Sequence, residues 1–112
     1  MSATGKKSND LHHAFIRALI LGTSMDGYLS LCRVIASANP PNYENITVPL
    51  LIIAGEDDQT APIRGSQGIL EEYGMKKEDK KIEILDGVGH WYCIEAPTRV
   101  ASLIVNFIKD KF

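Results

Sequence analysis

Apolar residues recur at helical spacing between Leu11 and Leu21, where Leu11, Ala14, Phe15, Ala18 and Leu19 form a stripe thickened by Ile16, Ile20 and Leu21. The pattern predicts a helix broken by Gly22-Thr23-Ser24-Met25-Asp26-Gly27, with Ser24 or Asp26 placed to cap a second helix from Gly27 to about Ala38. Asn39-Pro40-Pro41-Asn42-Tyr43 is a loop, because tandem prolines stop the preceding helix and favour extended backbone. After Val48-Pro49 the periodicity disappears. Leu50-Leu51-Ile52-Ile53-Ala54 is continuously apolar, as expected of a strand buried on both faces of a parallel sheet. Gly55 to Pro62 is its exit loop. Ile63 to about Tyr73 reads as a helix with Ile69 and Leu70 inward and Gly74 as its stop. The charge run Lys76 to Lys81 reads as a solvated connection. Ile82-Glu83-Ile84-Leu85 is a second short strand with Asp86-Gly87-Val88-Gly89-His90 as its exit loop. Glu95-Ala96-Pro97 opens a final helix striped by Val100, Leu103, Ile104, Phe107 and Ile108. The order is helix, helix, strand, helix, strand, helix, without an internal repeat or heptad.

Composition adds exclusions. The 112 residues are 45% hydrophobic and 23% charged, which fits a soluble globular domain and excludes collagen, coiled coil and wholesale disorder. Twelve Lys and Arg against fourteen Asp and Glu give a net charge of -2, so there is no electrostatic footprint for nucleic acid or an anionic membrane. No apolar run approaches the roughly 20 residues that span a bilayer, and no signal-peptide pattern follows the polar start MSATGKKSND. A soluble, cytoplasmic protein is the expectation. Cys32 and Cys93 lack the spacing of a zinc or redox motif and are expected to be reduced, largely buried thiols. No metal or organic cofactor is implied.

In an open α/β sheet, reacting groups collect at the loops beyond the carboxyl ends of the strands. Both such loops here carry ionisable residues. The first holds Glu56-Asp57-Asp58; the second places His90 between glycines and Trp91-Tyr92. Adjacent parallel strands would bring a carboxylate of the first within reach of the imidazole of the second, holding one tautomer and stabilising the imidazolium. Taken singly, an acidic turn is common at a helix N-terminus and a histidine in a glycine-rich loop is commonly a surface group. It is the joint order of apolar strand, Gly-x-x-Asp, helix, strand, Gly-x-Gly-His and helix that suggests chemistry.

This order resembles the C-terminal part of the α/β-hydrolase superfamily. Val48 to Pro62 is similar to its acid strand and loop, where the acid stands three residues after the glycine, which implies Asp58 with Asp57 as the alternative. Leu85 to Pro97 is similar to its histidine loop and implies His90. Met25 to Ala36 looks like the last helix of the mobile cap in the enol-lactonase and esterase-like branch. The implied layout is a loop remnant or disordered segment at residues 1–10, cap-like helices at 11–40, and the C-terminal part of the core at 41–112. The implied fold class is a partial α/β-hydrolase fold, two parallel strands with flanking helices. The implied catalytic residues are Asp58 and His90, and the implied substrate is a small ester or lactone.

A hydrolase of this kind also needs a nucleophile on a strand-to-helix elbow, usually Gly-x-Ser-x-Gly, and an oxyanion hole. Gly22 to Gly27 is a near miss in which Phe15 to Leu21 would be the strand and Ser24 the nucleophile. Asp26 opposes it, since a carboxylate there would repel a developing oxyanion. The expectation is therefore a segment that carries the acid and histidine, lacks the elbow and is inactive alone. Two strands leave sheet edges and apolar faces to be covered, by a separately encoded N-terminal half, by a homodimer, or by the remainder of a longer polypeptide. The alternative is a non-catalytic interaction module on the same scaffold. Domains of this type usually run to roughly 200 to 250 residues.

Overall fold

A computed structural model describes residues 3–112, so residues 1 and 2 of the expected N-terminal loop lie outside the described residues. Helix α1 (Asp10–Leu21) begins at Asn9, whose side chain accepts the His12 N–H at 3.0 Å while the His12 ring accepts the Asn9 N–H at 3.3 Å. Histidine here takes the place that Glu or Gln holds in the usual capping box. Helix α2 (Met25–Ser37) is capped by Ser24, whose hydroxyl oxygen accepts the Gly27 N–H at 3.1 Å. The two helices bend by 94° where they join, and no single helix among the described residues is long and apolar enough to cross a membrane.

The sheet has two parallel strands, β1 (Leu50–Gly55) and β2 (Lys80–Leu85), in a register that pairs Leu50 with Lys80 and Gly55 with Leu85. Helix α3 (Ile63–Glu72) makes the crossover and packs on both strands. A short helix α4 (Tyr92–Glu95) follows the histidine loop, and α5 (Pro97–Lys111) closes the chain with proline in its first turn. The core joins Leu85, Val88 and Val100, with Ile53, Tyr92, Ala96 and Leu103 packed against them. Leu85 ends β2 and Val88 lies in its exit loop, so this cluster reaches the loop that carries His90.

Several sequence expectations change. The run Lys76 to Lys81 is more than a solvated connection. Lys77–Asp79 is a 3-10 turn, and β2 starts at Lys80 rather than Ile82. The Lys80 ammonium donates to the Tyr73 carbonyl at 2.9 Å, neutralising the C-terminal end of α3. On α5, Val100 is buried and Leu103 and Phe107 are half-buried, whereas Ile104 and Ile108 are exposed. β1 is buried only at Ala54 and Gly55, because two strands cannot cover one another on both faces. Cys32 and Cys93 are exposed, not buried. Cys32 lies on α2, which has no buried residue at all.

The same cause sets the overall surface. Ile16 is the one buried residue of α1, while Phe15, Ile20 and Leu21 face outward together with Met25, Tyr28, Val34 and Ile35 of α2. The chain exposes 8004 Å², whereas a compact folded monomer of 12.3 kDa exposes about 6,100 Å². Its radius of gyration is 15.8 Å, against about 13 Å for a compact domain of this length. An excess of about 1,900 Å² is more than twice what one partner buries in a standard protein interface.

Candidate functional site

β1 and β2 end side by side, so their exit loops leave the same edge of the sheet. Gly55 stands at the crossing point. The Asp57 N–H donates to the Val88 carbonyl at 2.9 Å, and the Glu56 N–H donates to Leu85 at 3.0 Å. A β-carbon on Gly55 would overlap the carbonyl oxygens of Val88 and Gly89, so only glycine allows the two loops to approach this closely. The turn between β2 and His90 also uses Gly87 at φ +68°, in the left-handed region.

This crossing brings Asp58 and His90 together. The Asp58 carboxylate is nearly buried, its side chain 4% exposed, and its Oδ2 lies 2.9 Å from His90 Nδ1. Its other oxygen accepts the N–H groups of Thr60 at 2.8 Å and Ala61 at 2.9 Å. Burial alone would push the Asp58 carboxyl up. The hydrogen bonds from Ala61, His90 and Thr60 together outweigh burial and hold its pKa below the ordinary value. An ionised carboxylate can only accept, so the imidazole donates from Nδ1 and Nε2 carries the lone pair of the neutral ring. The His90 ring is 40% exposed, with Trp91 edge-on to it at 6.4 Å between centroids.

Asp57, the alternative acid, is engaged elsewhere. It accepts the Lys6 N–H at 2.9 Å and forms an ion pair with the Lys6 ammonium at 3.2 Å. Lys6 belongs to a segment whose involvement composition did not foreshadow. Residues 3–7 run across the histidine loop: the His90 N–H donates to Ala3 at 2.9 Å and the Lys7 N–H to Gly87 at 3.0 Å. A β-carbon on Gly5 would lie 2.6 Å from the Gly89 nitrogen, so this strap rests directly on the loop backbone. Glu95, read from sequence only as the start of the last helix, is the anchor. Its carboxylate accepts N–H groups from Gly5 at 2.7 Å, Gly89 at 3.2 Å and Trp91 at 3.2 Å, bracketing His90 on both sides. The signal available in sequence was its spacing of five from His90, which puts it one helical turn beyond the loop.

Ser24 is not on a nucleophile elbow. Phe15 to Leu21, which would have been the approaching strand, is helical, and Ser24 caps α2. Among the described residues, the two strands are followed by Glu56 and Asp86. Ser24 does line a cleft of about 800 Å³ that also includes His90 and Trp91. No group of three or more His, Cys, Asp or Glu able to hold a metal ion occurs among the described residues.

Two parallel strands flanked by helices, with Asp58 and His90 meeting at their carboxyl ends, make a mixed α/β arrangement. Comparison with known proteins points the same way. The chain is 31% identical over 67 residues to monoacylglycerol lipase ABHD6 of Mus musculus, an α/β-hydrolase, and 30% identical over the same length to the Homo sapiens protein. The match covers 60% of this chain and 19% of each relative, so it concerns about a fifth of the relatives' length. It supports the α/β-hydrolase superfamily without singling out the enol-lactonase branch. No family model matches the chain, and no solved structure matches it at a significant level.

Proposed function

We propose that the chain supplies the acid and histidine of a serine hydrolase acting on small esters or lactones, and that it needs a serine from outside these residues to turn over substrate. The observation that carries this reading is the 2.9 Å contact between Asp58 and His90 at the carboxyl ends of adjacent parallel strands. In the proposed cycle, His90 Nε2 takes the proton from a serine hydroxyl as its oxygen bonds to the substrate carbonyl carbon. The imidazolium then gives that proton to the leaving alkoxide as the C–O bond breaks, and water repeats the sequence on the acyl-enzyme. Asp58 holds the ring in the required tautomer and stabilises its charged form. Enol-lactonase or esterase-like chemistry is the form of this reaction suggested by the cap-like residues Met25 to Ala36.

The large exposed area supports the need for a covering partner, which we take to be a polypeptide carrying the nucleophile elbow and further strands. The test is complementation. The chain is mixed with a polypeptide that carries a parallel strand and an intact Gly-x-Ser-x-Gly elbow, and cleavage of p-nitrophenyl acetate is followed. The expected result is activity in the mixture that neither component has alone, lost with His90→Ala. A mixture that stays inactive, or activity that survives His90→Ala, overturns the proposal.

The exposed apolar face of α1 and α2 also favours a second reading, a binding module that makes no use of the pair. It predicts that partner capture is unchanged by Asp58→Asn and His90→Ala.

A further inference from the structure

The strap of residues 3–7 pairs with the histidine loop much as a strand would. The His90 N–H donates to the Ala3 carbonyl at 2.9 Å and the Lys7 N–H to the Gly87 carbonyl at 3.0 Å, so positions rise along the strap as they fall along the loop, in the antiparallel sense. Between these two bonds the Gly5 N–H donates to the Glu95 carboxylate at 2.7 Å, on the same oxygen that accepts the Gly89 N–H at 3.2 Å. The other oxygen accepts the Trp91 N–H at 3.2 Å. The consecutive N–H groups of Gly89, His90 and Trp91 are thus held either by the strap or by the carboxylate that holds the strap. The strap also reaches the acid loop, where Asp57 accepts the Lys6 N–H at 2.9 Å. It therefore ties together the two loops that carry Asp58 and His90.

Exposure decides which of these contacts matter. The side chains of Lys6 and Lys7 are 84% and 60% exposed, so their ion pairs with Asp57 and Asp86 are screened by water and contribute little. The hold falls instead on the backbone bonds and on Glu95, whose charge strengthens each bond it accepts. The far end of the strap is braced as well. The Ser8 hydroxyl donates to the Gly5 carbonyl at 2.8 Å, which leaves its oxygen to accept from His13 Nε2 at 2.9 Å. Helix α1 thus supports the turn that follows the strap.

We propose that residues 3–7 form a positioning strap for His90: with Gly5 docked on Glu95, the loop backbone is fixed so that Nδ1 stays on Asp58 and Nε2 keeps one direction. The consequence for catalysis rests on the hydrolase reading above; the hold on His90 does not. Gly5 is the sensitive position. An added β-carbon would lie 2.3 Å from the Gly87 oxygen and 2.6 Å from the Gly89 nitrogen, both backbone atoms that cannot swing aside, so Gly5→Ala lifts the strap off the loop. Glu95→Ala removes the acceptor of three N–H groups. Glu95→Gln can keep its remaining oxygen on Gly5 and Gly89 and loses only the bond to Trp91.

The experiment follows amide hydrogen exchange and the imidazole nitrogen signals of His90 by NMR in the full chain. In Gly5→Ala and Glu95→Ala the His90 amide is expected to exchange at least about ten-fold faster than in wild type, and the Nδ1 proton to lose its protection. Amides of the β1–β2 ladder keep their rates, which separates a loosened loop from an unfolded chain. Glu95→Gln recovers most of the protection. Gly68→Ala makes the same change on α3, where the β-carbon meets nothing within 4 Å, and leaves His90 as in wild type. In the complemented enzyme Gly5→Ala is expected to lower kcat by about 10²-fold with KM little changed, the cost of misplacing a reacting group by about 1 Å.

Unchanged His90 exchange and imidazole signals in both Gly5→Ala and Glu95→Ala, or an equal loss of protection along the β1–β2 ladder, overturns the proposal. Altered His90 signals in a chain that gains no activity on complementation leave the strap standing and remove the hydrolase reading. Complementation as active with Gly5→Ala as with wild type keeps the hydrolase reading and removes the strap from it.

Discussion

Replacing Asp58 by Asn exchanges one carboxylate oxygen for an NH2 group while preserving shape, and the surroundings dictate the response. At Oδ1 the amide oxygen can still accept the Thr60 and Ala61 N–H groups, so that end loses only the reinforcement of charge. At the other end the NH2 meets His90 Nδ1, where the carboxylate now accepts at 2.9 Å. Two donors cannot share that contact, so the neutral ring moves its proton to Nε2 and presents Nδ1 as acceptor. Hydrogen bonds to charged groups contribute about 1.5–3 kcal/mol. The carboxylate is nearly dry but the imidazole is 40% exposed, which favours the lower part of that range, about 1.5–2 kcal/mol. For a domain of this size the loss lowers Tm by roughly 5–10 °C. Long-range nitrogen-proton NMR of the imidazoles reads the tautomer directly, with His12 and His13 as internal controls, and circular dichroism follows the melt. In the complemented enzyme the same change should reduce kcat by about 10⁴-fold, because the nitrogen facing the serine would carry a proton instead of a lone pair. An unchanged His90 tautomer together with an unchanged Tm would show that Asp58 does not hold the ring.

The remaining predictions rest on separate contacts. Because the folded-state pKa of Asp58 lies below its ordinary value of 3.8, its contribution to stability is complete above that pH and is lost as pH falls through the depressed folded value. Urea midpoints of wild type and Asp58→Asn should differ at pH 6 and converge towards pH 2, and parallel curves would contradict this. Gly55→Ala should cost about 1–3 kcal/mol by forcing apart the Val88 and Gly89 backbone, read from the urea midpoint, with the His90 NMR signals shifting as well. Both cysteines should react with Ellman's reagent in the native protein without denaturant, since Cys32 and Cys93 are exposed.

The contrast between what the sequence revealed and what it hid has a physical basis. The run Leu50 to Ala54 and the two loop patterns ending in Asp58 and His90 were legible because a strand between helices and its exit loop are local features, and parallel pairing then aligns the two loops. The helices were legible from their spacing, but not which face would be buried. Ile16 is covered while Phe15 and Ile20 are not, because burial depends on what lies opposite, and α2 has little opposite it. The exposed cysteines follow from the same incomplete covering. The strap of residues 3–7 and the anchoring role of Glu95 were hidden because they join backbone N–H groups to carbonyl and carboxylate oxygens across 80 or more positions, a pairing that no periodicity encodes. Three glycines, Gly5, Gly55 and Gly89, allow the backbones to approach closely at that junction.

The proposed role of His90, held by Asp58, is to activate a serine supplied from outside these residues. The most direct measurement is the rate at which a fluorophosphonate labels the elbow serine of a complementing polypeptide, because labelling reads activation of the hydroxyl without requiring turnover. Rapid labelling is expected with the wild-type chain, slow labelling with His90→Ala or Asp58→Asn, and none on Ser24 of the chain alone. Equal labelling with all three chains, or labelling of Ser24, would contradict it.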